Sequence, residues 1–230
     1  MNGGTLVELW RYPVKSLGGG RLHESAVDER GLAGDRLWSV CDEDGKLGSG
    51  KSTRRFRKMD GLLDLFARYD GDVPVLTTPD GREVRGDDPD VHEVLSRHVG
   101  RPVHLAREST VSHFDEGPLH LVTTASLRHL RGPADPLDVR RVRPNLVVDV
   151  PGEGRVEQDW IGARIEVGDC VLQVRGPMDR CVMETMAQPG LPAAPGLLRE
   201  LAETADTCLG VVVDVLTAGT VRVGDALRLA

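Results

Sequence analysis

Short apolar runs dominate the chain, and several alternate strictly with polar residues, the two-residue period of half-buried strands. Residues 5–10 read as a strand that ends at the Tyr12-Pro13 turn. Residues 37–41 read as another, closed by Asp42-Glu43-Asp44-Gly45. Residues 73–78 and 82–84 flank Pro79-Asp80-Gly81, a turn composition that predicts a hairpin. In the second half, residues 161–167, 170–174, 209–216 and 221–229 read as strands, and in the second of these Cys170, Leu172 and Val174 share one face.

Helical spacing is rarer. Val91, Val94 and Leu95 predict a helix that Gly100 stops, and Thr123 or Thr124 caps one that carries Leu127 and Leu130 and ends at Gly132. Leu197, Leu198 and Leu201 suggest a third. A fourth is expected over residues 56–69, with Gly61 as its weak point. Strands scattered among isolated helices, without a regular βαβ alternation, predict a mainly β or α+β fold. The segment 87–108 joins two strand-rich halves, which places domains at 1–100 and 101–230.

The chain has 230 residues, 40% of them hydrophobic and 28% charged, enough for a sizeable core. Aromatic residues make up only 3%, so that core is aliphatic and a stacking platform for single-stranded nucleic acid is not expected. A net charge of −7 argues against bulk binding to nucleic acid or anionic membrane, yet leaves room for a local basic pocket. The four cysteines, Cys41, Cys170, Cys181 and Cys208, form no Cys-x-x-Cys pair, so a closed zinc site is not expected. Neither a leader-like start nor a bilayer-length apolar run is visible, and the expectation is a reduced, cytoplasmic protein.

Candidate chemistry begins at Cys181. Gly176-Pro177 should end the preceding strand and leave Cys181 on a loop beside Arg180, where a guanidinium favours the reactive, metal-binding thiolate. The other cysteines lie in or beside apolar runs and read as core. Lys15-Ser16, Arg36 and Arg143-Pro144-Asn145 stand beside turns or strand ends, positions from which basic and amide groups grip phosphate. Residues 45–52, Gly-Lys-Leu-Gly-Ser-Gly-Lys-Ser, fit the P-loop spacing, with residues 146–149 as a possible Walker B strand. The context is poor, because Asp42, Glu43 and Asp44 would repel a triphosphate and the βα alternation of a nucleotide-binding sheet is missing. The histidines show no metal-binding spacing, though His113 and His120 bracket Asp115 and Glu116 in a polar loop, a candidate pocket wall set against the plainer reading of surface residues.

Several segments recur in a familiar order. They are residues 9–16 with Tyr12-Pro13-Val14-Lys15-Ser16, residues 31–36 with Gly34-Asp35-Arg36, residues 50–56, and residues 123–127. Val142-Arg143-Pro144-Asn145 follows, then Asp159-Trp160-Ile161-Gly162 before Asp179-Arg180-Cys181, and finally residues 221–225. Over nearly the full chain this order resembles the MOSC family in the form related to the mitochondrial amidoxime-reducing component. The resemblance implies a MOSC β-barrel-like domain with a few short helices, preceded by an N-terminal β-barrel-like domain.

It also implies a molybdenum cofactor, a molybdenum-bound pterin, with Cys181 as metal ligand and catalytic residue. Lys15, Ser16, Arg36, Arg143 and Asn145 would then hold the pterin and its phosphate, with Arg180 beside the ligand. The implied activity is a molybdenum-dependent reduction of N-hydroxylated compounds, such as amidoximes and hydroxylamines, by oxygen-atom transfer to the metal. The implied partners are a small-molecule substrate and a separate electron-donor protein of cytochrome b5, ferredoxin or flavin type, with no nucleic acid and no membrane. No residue gives specific support for pyridoxal phosphate. A non-enzymatic carrier of the cofactor or of sulfur through Cys181, and a P-loop triphosphatase, are the alternatives. Two positions depart from the family pattern. Asp179 replaces a small residue, which is unfavourable near an oxo-anionic metal unless Arg180 neutralises it, and Val212 stands where relatives often have Tyr.

Overall fold

The computed structural model describes residues 2–130 and 137–230. In chain order the first half holds β1 (Asn2–Arg11), β2 (Gly20–Leu22), β3 (Glu24–Asp28), β4 (Gly31–Leu32), β5 (Trp38–Asp42), β6 (Leu47–Ser49), β7 (Phe56–Lys58), β8 (Phe66–Asp70), β9 (Val73–Thr77), β10 (Glu83–Arg85) and α1 (Val91–Val99). Then come β11 (Val103–Arg107), β12 (Leu119–Thr123), α2 (Thr124–His129), α3 (Val139–Val142), β13 (Leu146–Asp149), β14 (Arg164–Val167), β15 (Cys170–Asp179), α4 (Leu197–Ala205), β16 (Cys208–Thr217), β17 (Gly219–Arg222) and β18 (Ala226–Leu229).

The fold is mainly β, as the alternation predicts. Seven strands close a barrel in the order β13-β12-β16-β15-β14-β18-β1, with β1 returning to β13 and β2 appended to β1. Closure removes the open strand edges that would otherwise need covering. The interior is aliphatic: Leu6, Leu121, Val148, Ile165, Val211 and Val213 are buried there, together with Cys170, Leu172 and Val174, the face expected of that strand. α2 and α4 pack outside, where Leu127, Leu197 and Leu201 meet Trp10, Tyr12 and Leu209. A second core forms between α1 and the sheets β11-β5-β6-β7 and β10-β9-β8, around Val40, Leu62, Leu76, Leu95 and Leu105.

Strand pairing crosses the position near residue 100. β1, from the first hundred residues, closes the barrel through Thr5–Asp149 and Leu9–Leu146 pairs, while β11 pairs with β5. β3 likewise pairs with β17.

Four expectations need correction. No helix spans 56–69: β7, a single 3₁₀ turn (Leu62–Asp64) and β8 occupy it, because Gly61 sits at φ 86, outside helical space. Residues 221–229 are two strands, β17 and β18, split by a turn in which the Arg222 amide donates to Asp225 Oδ2 at 2.7 Å. Strand 161–167 begins only at Arg164. Gly176-Pro177 does not end its strand; β15 runs on to Asp179, absorbing the two residues through register shifts against β16. The other helices stand. α1 ends at Gly100, and Thr123 caps α2 by accepting from the Ser126 amide at 3.2 Å. Gly132 lies outside the described residues. No described helix is long and apolar enough to cross a membrane.

A fragment of residues 101–230 lacks β1 and exposes the edges of β13 and β18. It should show no cooperative thermal transition by circular dichroism, whereas the full chain should unfold in a single sharp one.

Candidate functional site

One end of the barrel, where it meets the N-terminal sheets, holds a cavity of about 280 Å³. Lys15, Ser16, Arg36, Arg143, Asn145, Arg180 and Cys181 all line it, although they are scattered over the chain. Lys15 and Ser16 follow β1, Arg36 precedes β5, Arg143 ends α3, and Arg180 and Cys181 follow β15. Ser16, Arg36 and Arg143 adopt left-handed backbone conformations with φ of 65, 49 and 53. Such residues are strained by of order 1 kcal/mol each and persist only where packing over-determines them.

The cations are held apart by built-in partners. Lys15, 2% exposed, donates to Asp115 Oδ2 at 2.9 Å; burial pulls its pKa down and the Asp115 carboxylate pushes it back up. Ser16 Oγ donates to the Gly48 carbonyl at 2.9 Å. Arg36 pairs with the fully buried Asp35 and donates from Nη2 to the Arg143 carbonyl at 3.0 Å. The Arg36 and Arg143 guanidinium groups lie 4.9 and 4.3 Å from the centre of the Tyr12 ring. Burial lowers the Arg143 pKa to about 10, and its Nη2 is enclosed with no hydrogen-bond partner. An enclosed cationic donor without an acceptor is an unfavourable state that an anion in the cavity would relieve.

Asn145 serves the frame as well as the wall. Its Oδ1 accepts from the His120 amide at 3.1 Å and its Nδ2 donates to the Trp10 carbonyl at 3.3 Å, tying β12, β13 and β1 together.

Cys181 is half-buried and opens the 3₁₀ turn Val182–Thr185. The expected activation by Arg180 is not what the geometry provides. The Arg180 guanidinium turns inward, donating to the Val142 carbonyl at 2.9 Å, to the Leu209 carbonyl and to Glu184 Oε1 at 3.3 Å. Burial, followed by the Glu184 carboxylate, pushes the Cys181 thiol up rather than down. Glu184 Oε2 in turn accepts the Cys181 amide at 2.9 Å and fixes the start of the turn. Among the described residues no three His, Cys, Asp or Glu side chains converge as a metal site, so a metal at Cys181 would arrive with other ligands already attached.

Two family models match this chain: the MOSC N-terminal beta barrel domain over residues 3–89 and the MOSC domain over residues 98–228. The chain belongs to the MOSC family. Similar curated proteins include molybdenum cofactor sulfurase of Drosophila grimshawi, 26% identical over 86% of this chain. Mitochondrial amidoxime-reducing component 1 of Mus musculus is 26% identical over 80% of it. The chain spans 30% of the first relative's length and 66% of the second's. Among solved structures, the YUAD protein from Bacillus subtilis aligns over 97% of this chain and 93% of its own with a TM-score of 0.55 and 16% identity, a likeness of fold alone.

Within this MOSC site the wall holds residues that the motifs did not assign. His120, expected with Asp115 and Glu116 in a polar loop, lines the cavity together with both, but from inside β12, 4% exposed, with Nε2 2.5 Å from Arg180 Nη2. Burial and then Arg180 hold its pKa well below the ordinary value. A lone His in an apolar strand carries no spacing signal. Arg141, fully buried, donates from Nη1 to the Glu184 and Met186 carbonyls at 3.2 Å each and so clamps the turn that carries Cys181. Glu184, three residues after Cys181, was legible as a capping position.

Of the two departures, Asp179 lines the cavity without an Arg180 pairing, because Arg180 pairs with Glu184; its Oδ1 accepts from the Cys208 thiol at 3.3 Å. Val212 is buried and does not line the cavity. Residues 45–52 form no phosphate loop, because β6 lies within them and the chain continues into β7 without the required helix.

A folded-state His120 pKa below the 6.5 of an exposed ring means that the unfolded chain takes up protons first as pH falls. Stability should therefore drop below about pH 6.5, by up to about 1.4 kcal/mol per pH unit for this group. Urea unfolding between pH 7.5 and pH 5 measures the slope, and His120→Gln should flatten it.

Proposed function

We propose that this MOSC protein holds a molybdenum–pterin cofactor in the cationic cavity and reduces small N-hydroxylated compounds. The observation that carries the reading is the unpartnered Arg143 Nη2, enclosed in a cavity that Cys181 also lines. That donor set fits the group: guanidinium and ammonium forks suit a pterin phosphate, and one accessible sulfur suits a metal whose remaining ligands come with the pterin. Lys15, Ser16, Arg36 and Arg143 would take the anionic end and Cys181 the metal, while Asn145 and Arg180 keep the wall in place. The relatives named for a molybdenum cofactor sulfurase and an amidoxime-reducing component support the same cofactor chemistry.

When bound, the cofactor supplies the two-electron redox chemistry that the side chains lack. The chain's part is to bind and orient. Its buried cations hold an anion without competition from bulk water, and the Arg141 and Glu184 contacts keep the Cys181 turn from shifting. In the overall reaction an amidoxime takes up two electrons and two protons, its N–O bond breaks, and an amidine and water leave. The electrons come from a separate donor protein. A second reading, a carrier of cofactor or of sulfur through Cys181, draws on the likeness to the sulfurase.

Protein from a host that makes the cofactor should contain near-stoichiometric molybdenum by elemental analysis, and Cys181→Ala should lose it; metal that survives the substitution would overturn the ligand assignment. Arg143→Ala should weaken cofactor retention about ten- to hundredfold, the loss of one charged hydrogen bond. Benzamidoxime reduction with an artificial electron donor separates the enzyme from the carrier, which would load molybdenum and turn nothing over.

A further inference from the structure

The lysine of the P-loop-like segment is left without a role once the phosphate loop is gone, yet Lys51 lines the same cavity as Cys181. Its placement follows from a close approach. A Cβ on Gly50 would lie 2.7 Å from Met183 Cγ and 3.0 Å from Met186 Sδ, with Val182 next. The bend after β6 is thus packed against the 3₁₀ turn that Cys181 opens, and a side chain at position 50 would have to displace Met183 and Met186. Ser49 Oγ, one residue earlier, meets Met183 Sδ at 3.9 Å. Lys51 therefore stands beside the Cys181 end of the cavity.

Lys51 also differs from the other cations there. Lys15 has Asp115, Arg36 has Asp35, and Arg180 has Glu184. Arg143 is enclosed against Tyr12. Lys51 is half-buried; its Nζ lies 5.4 Å from the centre of the Phe56 ring, and its charge also acts on Asp115, the carboxylate already paired with Lys15. The Lys51 charge also acts on the Cys181 thiol, opposing the upward push of burial and Glu184. Among the described residues no carboxylate pairs directly with Lys51, and from the Cys181 side of the cavity its ammonium is poised for an anion that arrives from solution.

Building on the reductase reading, we propose that Lys51 selects substrates that carry a carboxylate in addition to the N-hydroxylated group. The Lys51 ammonium pairs with that carboxylate at the cavity mouth and brings the N–O bond to the Cys181 end.

Two readouts test this. In the molybdenum-loaded protein, kcat/KM for 4-carboxybenzamidoxime relative to benzamidoxime should fall about tenfold in Lys51→Met, the loss of one such pairing, and be largely restored in Lys51→Arg. In full-length protein made without cofactor, peptide mass spectrometry follows alkylation of Cys181 by anionic iodoacetate and neutral iodoacetamide. The ratio of the two rates cancels changes in thiol ionisation and should fall by a similar factor in Lys51→Met. Unchanged ratios would overturn the assignment, as would loss of molybdenum from Lys51→Met, which would make Lys51 part of the cofactor's own grip. If the native protein reduces neither amidoxime, the reductase reading fails and the alkylation ratio alone decides whether Lys51 draws anions to this end.

Discussion

Several positive charges around one small cavity repel one another, and the rest of the structure is organised to keep them there. Lys15, Arg36, Arg143 and Arg180 come from four separate stretches of chain. Each is opposed by a fixed group: Asp115, Asp35, the Tyr12 ring face and Glu184. The strain at Ser16, Arg36 and Arg143 belongs to the same arrangement, since left-handed backbone at these corners aims their side chains inward. Tyr12 is central. Its amide donates to Asp35 Oδ1 at 2.8 Å, its carbonyl accepts from the Arg36 amide at 2.7 Å, and its ring meets both Arg36 and Arg143. One aromatic residue therefore links the end of β1, the Gly34-Asp35-Arg36 turn and the Arg143 corner.

The division of labour between the two halves follows. The N-terminal half supplies Lys15, Ser16, Arg36 and Lys51; the C-terminal half supplies Arg143, Asn145, Arg180 and Cys181. Neither half alone encloses the cavity. Asn145 binds at once to Trp10 and His120, so the geometry of the wall and the pairing of the barrel strands are set by the same amide. A change at that position would alter both together.

Much of the fold was legible because strand alternation and helix stops are local. Cys170, Leu172 and Val174 share a face by period alone, and Gly100 stops α1 by its backbone freedom. The false helix over 56–69 shows the limit: apolar spacing there is satisfied by two strands and a turn packing into separate clusters. Register shifts that carry β15 past Gly176-Pro177 depend on β16, ten residues of another strand that no local pattern reveals. The gathering of seven site residues into one cavity was legible only through the order of the motifs. Direction was not: which way Arg180 points is decided by the Val142 and Leu209 carbonyls, remote in sequence, and the upward push on the Cys181 thiol comes from its burial and from Glu184.

The closure of the barrel by β1 has a consequence for how the protein comes into being. Asn2 is opposite Arg228 and Thr5 opposite Ala226, so β1 must wait for β18, a strand far along the chain, before this edge is paired. Contacts so distant along the chain make assembly slow and leave β1 exposed in the interval. The cavity, which needs β1, the turn after it and the Cys181 segment together, is a late product of that assembly. Anything that comes to occupy it meets a finished protein, not a nascent one.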